Sequence, residues 1–313
     1  MANYVFGIDV GGTTIKCGLF KTSGDVLDKW EITTDKSDKG EKIIPSIAET
    51  VKAKCEAQQI SLSDVAGIGL GVPGPVNNEG LVVIAVNLGW EQKNAKAELE
   101  ALVGVPVAVG NDANVAALGE LWLGAASGAT DAIMFTLGTG VGGGIIVDGN
   151  VVAGVHGAGG EIGHITVVVE DGNTCNCGKC GCLETVASAT GIVRETVKYL
   201  ATTTEASTLR ELETFEAKDV FDAAKANDAV GVKMVDQLGR YIGLSAANLA
   251  ATTDPEKIII GGGVSKAGQM LIDTIQKHYQ AFAFGPIKET EFVLASLGND
   301  AGIVGAAYLA KTI

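Results

Sequence analysis

Apolar positions along the chain fall into short β-type runs that end in glycine-rich turns, and these alternate with longer runs at helical spacing. Residues 4–9 (YVFGID) are mostly apolar and β-branched or aromatic, and predict a buried strand. The turn VGGTT follows, then strand-like runs over 15–20 and Val26–Thr33, so the chain opens as a glycine-turned antiparallel meander. Residues 41–58 place apolar side chains at 43, 44, 47, 48 and 51, a helical period, with Pro45 confined to the first turn or to a kink. A strand over 65–72 runs into PGPV, a helix over Ala95–Val103 stops at Gly104, and a strand over 106–112 leads directly into a helix over 113–123. Residues 131–149 repeat the opening theme of strand, Thr/Gly turn and strand. Helices are predicted at about 185–199, 217–227 and 229–251. The strand 257–262 then enters a third glycine turn, GGGVS, before a helix over 265–280, a strand over 291–296 and a helix over 302–312. Strands alternating with helices predict an α/β protein of two lobes. We expect a small lobe over 1–112, rejoined by the last helix at about 301–313, and a larger lobe over 113–300.

Composition narrows the partners. The formal net charge of −14 opposes attraction to nucleic acid or anionic lipid, both of which need clustered Lys and Arg. Forty-three glycines with only 5% aromatics fit tight turns and close backbone approaches, and 47% hydrophobic residues leave ample core. The most apolar long segment, 229–252, carries Lys233, Asp236 and Arg240, which argues against a membrane span. The N-terminal residues show no basic region followed by an apolar stretch, so a cytoplasmic location is expected.

Three glycine turns that each follow a strand look like backbone cradles for phosphate, since glycine lets main-chain N–H groups approach anionic oxygens. GTGVGG (138–143) and GLGVPG (69–74) both fit G-x-G-x-x-G, but the first leads into a strand and the second into Pro75, where a dinucleotide fingerprint needs a helix. No G-x-x-x-x-G-K-[ST] occurs. Asn111 and Asp112 fall at the carboxyl end of a strand and the start of a helix, where α/β folds collect ligands. Asp112 is either a helix cap or a general base for a hydroxyl attacking a γ-phosphate. Asp9, beside the first glycine turn, either orients magnesium or is a hydrogen-bonded turn residue.

Residues 156–184 concentrate the remaining chemistry. Four of the six cysteines, at 175, 177, 180 and 182, stand within eight residues, with His164 eleven residues upstream of the first. They are too crowded for two unstrained disulfides, and thiolate with imidazole is the donor set zinc takes. Five candidate ligands compete for four places. Glu161, His164 and Glu184 flank the loop as groups that accept hydrogen bonds from hydroxyls, unless they serve only the structure.

The motifs DVGGTTIK (9–16), GVPGPV (71–76), NDAN (111–114), TLGTGVGGG (136–144), GAGGEIGH (157–164), CNCGKCGCLE (175–184) and GGGVS (261–265) together resemble the ROK family of sugar kinases and repressors. The match covers essentially the whole chain, and the run 86–90 looks most like the family's bacterial glucokinases. The resemblance implies an actin-like, hexokinase-type two-lobed ATPase fold and phosphorylation of a hexose, glucose first, at its 6-hydroxyl. It implies Asp112 as general base, with Asn111, Asp112, Glu161, His164 and Glu184 on the sugar. It implies ATP and magnesium held at Asp9, Gly11, Gly12, Thr13, Thr14, Gly138, Thr139, Gly140, Gly262 and Gly263. A structural zinc would be held by His164, Cys175, Cys177 and Cys182, and the protein would be a homodimer. Other hexoses (N-acetylmannosamine, N-acetylglucosamine, fructose) are the alternative substrates, and a sugar-responsive regulator without kinase activity is the alternative class. Repressors of the family carry a winged helix-turn-helix ahead of the first strand, and here the ATPase pattern starts at residue 4. Cys180 occupies the family's variable place between the glycines; an all-cysteine site would release His164 to the sugar alone.

Overall fold

The computed structural model describes residues 2–77 and 79–313. In chain order its elements are β1 (Tyr4–Val10), β2 (Thr14–Lys21), β3 (Val26–Thr33), α1 (Ile43–Ala57), β4 (Val65–Val72), β5 (Val82–Ala85), β6 (Trp90–Lys93), α2 (Ala95–Val103), β7 (Val107–Asn111) and α3 (Asp112–Trp122). There follow β8 (Ala132–Leu137), β9 (Val141–Val147), β10 (Asn150–Val151), α4 (Glu184–Ala187), α5 (Ala189–Thr202), α6 (Ala217–Lys225), α7 (Ala229–Thr253), β11 (Lys257–Gly261), α8 (Gln269–Phe282), β12 (Glu291–Leu294) and α9 (Ala301–Lys311). They form two compact units, one of Met1–Gly128, Gly144–Gly160 and Ser296–Ile313, the other of Ala129–Gly143 and Glu161–Ala295.

In the first unit the sheet order is β3-β2-β1-β4-β7. The meander β1-β2-β3 is antiparallel, and β1, β4 and β7 are mutually parallel. Alternation along β1 divides its side chains between two cores: Phe6, Ile8 and Val10 pack with α1 and α2, whereas Val5 packs with Ile303, Val304 and Ala307 of α9. Each such side chain, fully buried, contributes roughly 1.5–3 kcal/mol. Helix α9 lies unusually close to the sheet because the strands offer glycine beneath it. A Cβ on Gly7 would sit 1.8 Å from the Ile303 carbonyl oxygen, and one on Gly69 would sit 1.8 Å from that of Ala306.

The second sheet has the order β10-β9-β8-β11-β12, and within the second unit β8, β11 and β12 are parallel. Its helices end where their local chemistry dictates. Asp228 caps α7, accepting from the Val230 and Gly231 N–H groups at 3.0 and 3.1 Å. The helix expected at 185–199 is two helices, because Ser188 is extended and its Oγ accepts the Gly191 N–H at 2.9 Å, capping α5 afresh. The helix expected from 265 begins at Gln269, after a 3₁₀ turn over Gly263–Ala267 and Gly268 at φ 76°. The ribbon of β5 and β6 escapes sequence reading because each is four residues long and buries only its two ends. Among the described residues no helix is long and apolar enough to cross a membrane.

Candidate active site and metal cluster

In the first unit the glycine turn joins β1 to β2. The Gly11 N–H donates to the Thr14 carbonyl at 3.1 Å, and Thr34 fastens the turn from outside, its Oγ1 donating to the Gly11 carbonyl at 2.7 Å. This leaves Gly12 and Thr13 facing a cavity of about 590 Å³ that Lys36 and Asn87 also line. Asp9 is the penultimate residue of β1, just before the turn.

Helix α3 starts at the end of β7, and the cap falls to Asn111 rather than Asp112. The Asn111 Oδ1 accepts the N–H groups of Ala113 and Asn114 at 3.0 and 3.2 Å, while its Nδ2 donates to the Gly74 carbonyl at 3.1 Å. Asp112 is thereby left in the first turn, its Oδ1 accepting the adjacent Ala113 N–H at 2.8 Å. Its surface touches solvent, yet enough protein surrounds it that desolvation raises its pKa above the ordinary carboxylate value, against the lowering effect of the Ala113 N–H and the Asn111 amide. Asp9 is raised too, first by desolvation and then by the like charge of Asp112, with Lys16 opposing. Desolvated acids of raised pKa recur at functional sites, which makes Asp9 and Asp112 candidates.

In the second unit Gly138 and Gly263 face open space, and with Thr139 they border a cavity of about 740 Å³. It is also lined by Val193 of α5, Phe221 of α6 and Phe215 between them, and by Lys218 and Lys225. Sequence reading missed these residues: they belong to ordinary amphipathic helices, and only the helix packing shows that part of the apolar face lines a cavity. A cavity of this size with apolar walls and a glycine mouth suits a nucleoside whose phosphates reach the turn. Gly140 and Gly262 border a smaller hollow of about 310 Å³ that also contains Glu184.

Glu184 links this hollow to the cysteine loop. Its Oε2 accepts the Val141 N–H at 3.1 Å, and its Oε1 lies 3.7 Å from the Cys175 sulfur. His164 turns Nδ1 toward that sulfur at 3.6 Å and Nε2 toward the Glu161 carboxylate at 3.8 Å. Ligand atoms of His164, Cys175, Cys177 and Cys182 all lie within 4.8 Å of one another, and the Cys177 and Cys182 sulfurs are 3.6 Å apart. Zinc bond lengths put the edges of an N,S₃ tetrahedron at about 3.5–3.8 Å, so these four residues fit the ion. Cys180 stands outside the cluster, exposed, its sulfur 3.8 Å from the Thr174 hydroxyl. Glu161, His164, Cys175 and Glu184 thus form one continuous chain of polar groups.

Comparison with known proteins places the chain in a family. The ROK family profile matches residues 5–313. The glucokinase of Halalkalibacterium halodurans is 49% identical over 310 residues, 97% of this chain and 94% of that protein. Among solved structures, the ROK hexokinase of Thermus thermophilus superposes with a TM-score of 0.82 at 31% identity, covering 99% of this chain and 98% of that one. A ROK family glucokinase from Streptomyces griseus, in complex with glucose and AMPPNP, superposes with a TM-score of 0.74 at 36% identity, covering 99% and 100%. The fold is the α/β, actin-like, two-lobed fold of the hexokinase type. On its motifs, its fold and these relatives, the chain belongs to the ROK family.

Proposed function

We propose that this protein is an ATP-dependent glucokinase, transferring the γ-phosphoryl group of ATP to the 6-hydroxyl of glucose. The observation that carries the reading is the division of labour at the start of α3. Asn111 satisfies the helix end, and Asp112 is left as a carboxylate of raised pKa suited to taking a proton. The glucokinases it resembles, one holding glucose and AMPPNP, favour this sugar and this donor.

In this reading the glucose O6 attacks the γ-phosphorus as the bond to the β,γ-bridging oxygen breaks, and the O6 proton passes to Asp112. Asn111, Glu161, His164 and Glu184 orient the sugar through its other hydroxyls. Backbone N–H groups at Gly11, Gly12, Thr13 and Thr14, at Gly138, Thr139 and Gly140, and at Gly262 and Gly263 hold the phosphates, with the nucleoside in the cavity lined by Phe215 and Phe221. Magnesium, oriented by Asp9, supplies charge neutralisation for the phosphates when bound. His164, Cys175, Cys177 and Cys182 would hold zinc, which would supply rigidity; the His164 Nδ1 faces the Cys175 sulfur, which leaves Nε2 for a hydroxyl or for Glu161. An acidic protein that consumes ATP fits the cytoplasm, and the family resemblance implies a homodimer, which the mass in solution checks.

The test is ADP release over a panel of hexoses, with the phosphorylated position identified. Glucose should have the highest kcat/KM and yield the 6-phosphate. A tenfold preference for N-acetylmannosamine, N-acetylglucosamine or fructose would reassign the substrate, and sugar binding without ADP release would favour the regulatory class.

A further inference from the structure

Glu120 lies near the end of α3 and is fully buried, with 0% of its surface exposed. A buried carboxylate is costly unless every oxygen is satisfied, and an apolar residue of similar volume would serve packing at lower cost. Here the oxygens are satisfied from two directions. Ahead of it in the chain, the Ala125 N–H donates to Oε2 at 2.9 Å. From the segment that leads into α9, the Leu297 N–H donates to Oε1 at 2.8 Å, the Ser296 N–H reaches both oxygens at 3.0 and 3.1 Å, and the Ser296 hydroxyl donates to Oε2 at 3.2 Å. Every partner is a donor, which suits an acceptor-only carboxylate and no neutral isostere; glutamine would turn an NH₂ group toward N–H groups. Ala125 shortly precedes the point where the chain first leaves the first unit, and Ser296 is where it returns for the last time.

Of the helices so joined, α3 carries Asp112 at its far end, and α9 lies against Asp9 of β1 at its near end. Asp112 is the first residue of α3. Gly302, the second residue of α9, lies against Asp9, since a Cβ there would stand 2.7 Å from the Asp9 Oδ2. Between these ends the helices cross backbone to backbone. A Cβ on Gly305 would sit 1.7 Å from the Val115 carbonyl oxygen, and one on Gly119 would sit 2.4 Å from that of Ala301. At these two points the glycines offer no side chain to interlock, so a polar lock beside the crossing helps fix how far one helix slides along the other.

We propose that Glu120 is a positioning residue for phosphoryl transfer: by locking α3 to the lead-in of α9 it sets the place of Asp112 relative to Asp9. This rests on Asp112 being the base. Misplacing a reacting group by about 1 Å costs ~10²-fold in rate, whereas binding groups elsewhere are untouched. The experiment measures kcat and glucose KM per folded molecule for Glu120→Gln and Ser296→Ala, beside Asp112→Asn and the wild type, with circular dichroism to count folded protein. For Glu120→Gln we expect kcat to fall ~10–100-fold with glucose KM within ~3-fold, and for Ser296→Ala a ~2–5-fold fall at unchanged KM. A folded Glu120→Gln whose kcat stays within twofold of the wild type overturns the proposal, whatever its melting temperature. If that variant does not fold, Ser296→Ala decides, and an unchanged kcat overturns it. Wild-type turnover in Asp112→Asn would instead remove the base assignment, a separate failure.

Discussion

The start of α3 and the cysteine loop solve the same problem, holding polar groups in fixed places, by opposite means. At α3 the backbone does the holding: a buried strand runs into a capped helix, glycine lets neighbouring elements touch, and Asp112 is carried as a passenger. In the loop, regular structure is nearly absent, isolated bridges join 166 to 182 and 174 to 180, and the side chains converge on one point. The first arrangement survives change of the reactive group itself. The second has little to hold it once its ligands are lost, because a short glycine-rich loop cannot repay its ordering entropy by packing.

The largest expected effect follows from that contrast. Replacing Cys175 and Cys182 together by serine should reduce bound zinc from about one per chain to none and lower the melting temperature by ~10 °C or more, as a chelator should with the wild type. Metal-free protein of unchanged melting and activity would contradict the zinc reading.

A smaller effect separates function from stability at α3. An acid whose pKa is raised on folding binds its proton more tightly in the native state, so the stability it allows is complete at low pH and declines as pH rises through the raised value. Asp112→Asn removes that decline and should melt at or above the wild-type temperature at pH 7, while wild-type kcat/KM should fall on the acid side at a pH above the ordinary carboxylate value of 3.8. Loss of stability in the variant would show that Asp112 serves the fold.

The smallest effect is expected at Cys180. Its exposed sulfur lies outside the cluster, so Cys180→Ser should keep its zinc and melt within about 1 °C of the wild type, as surface substitutions usually do. Loss of zinc there would move the ligand set to four cysteines and free His164.

Much of the fold was legible because its signals are local. The period of 43, 44, 47, 48 and 51 gives α1, and Gly104 at φ 71° ends α2 where the sequence stops it. The glycine turns and NDAN stand out in the sequence as candidates for phosphate and base chemistry because each directly follows a strand. What stayed hidden depends on distant partners. Ser188 breaks a helix that periodicity continues, and Phe215 meets Phe221 across one cavity only after the helices pack. Nothing local marks Glu120, in ALGELW, as buried; donors at Ser296 and Leu297, more than 170 residues away, join the Ala125 N–H in satisfying it. The capping question at NDAN was open for the same reason, since Asn and Asp are equally good caps until Gly74 fixes the Asn111 amide.

The most direct test of the account is turnover and glucose affinity measured on the same Asp112→Asn protein. A positioned base contributes typically 10²–10⁴-fold, so kcat for glucose phosphorylation should fall by about that factor while the calorimetric Kd for glucose stays within ~3-fold. A kcat near that of the wild type would contradict the account.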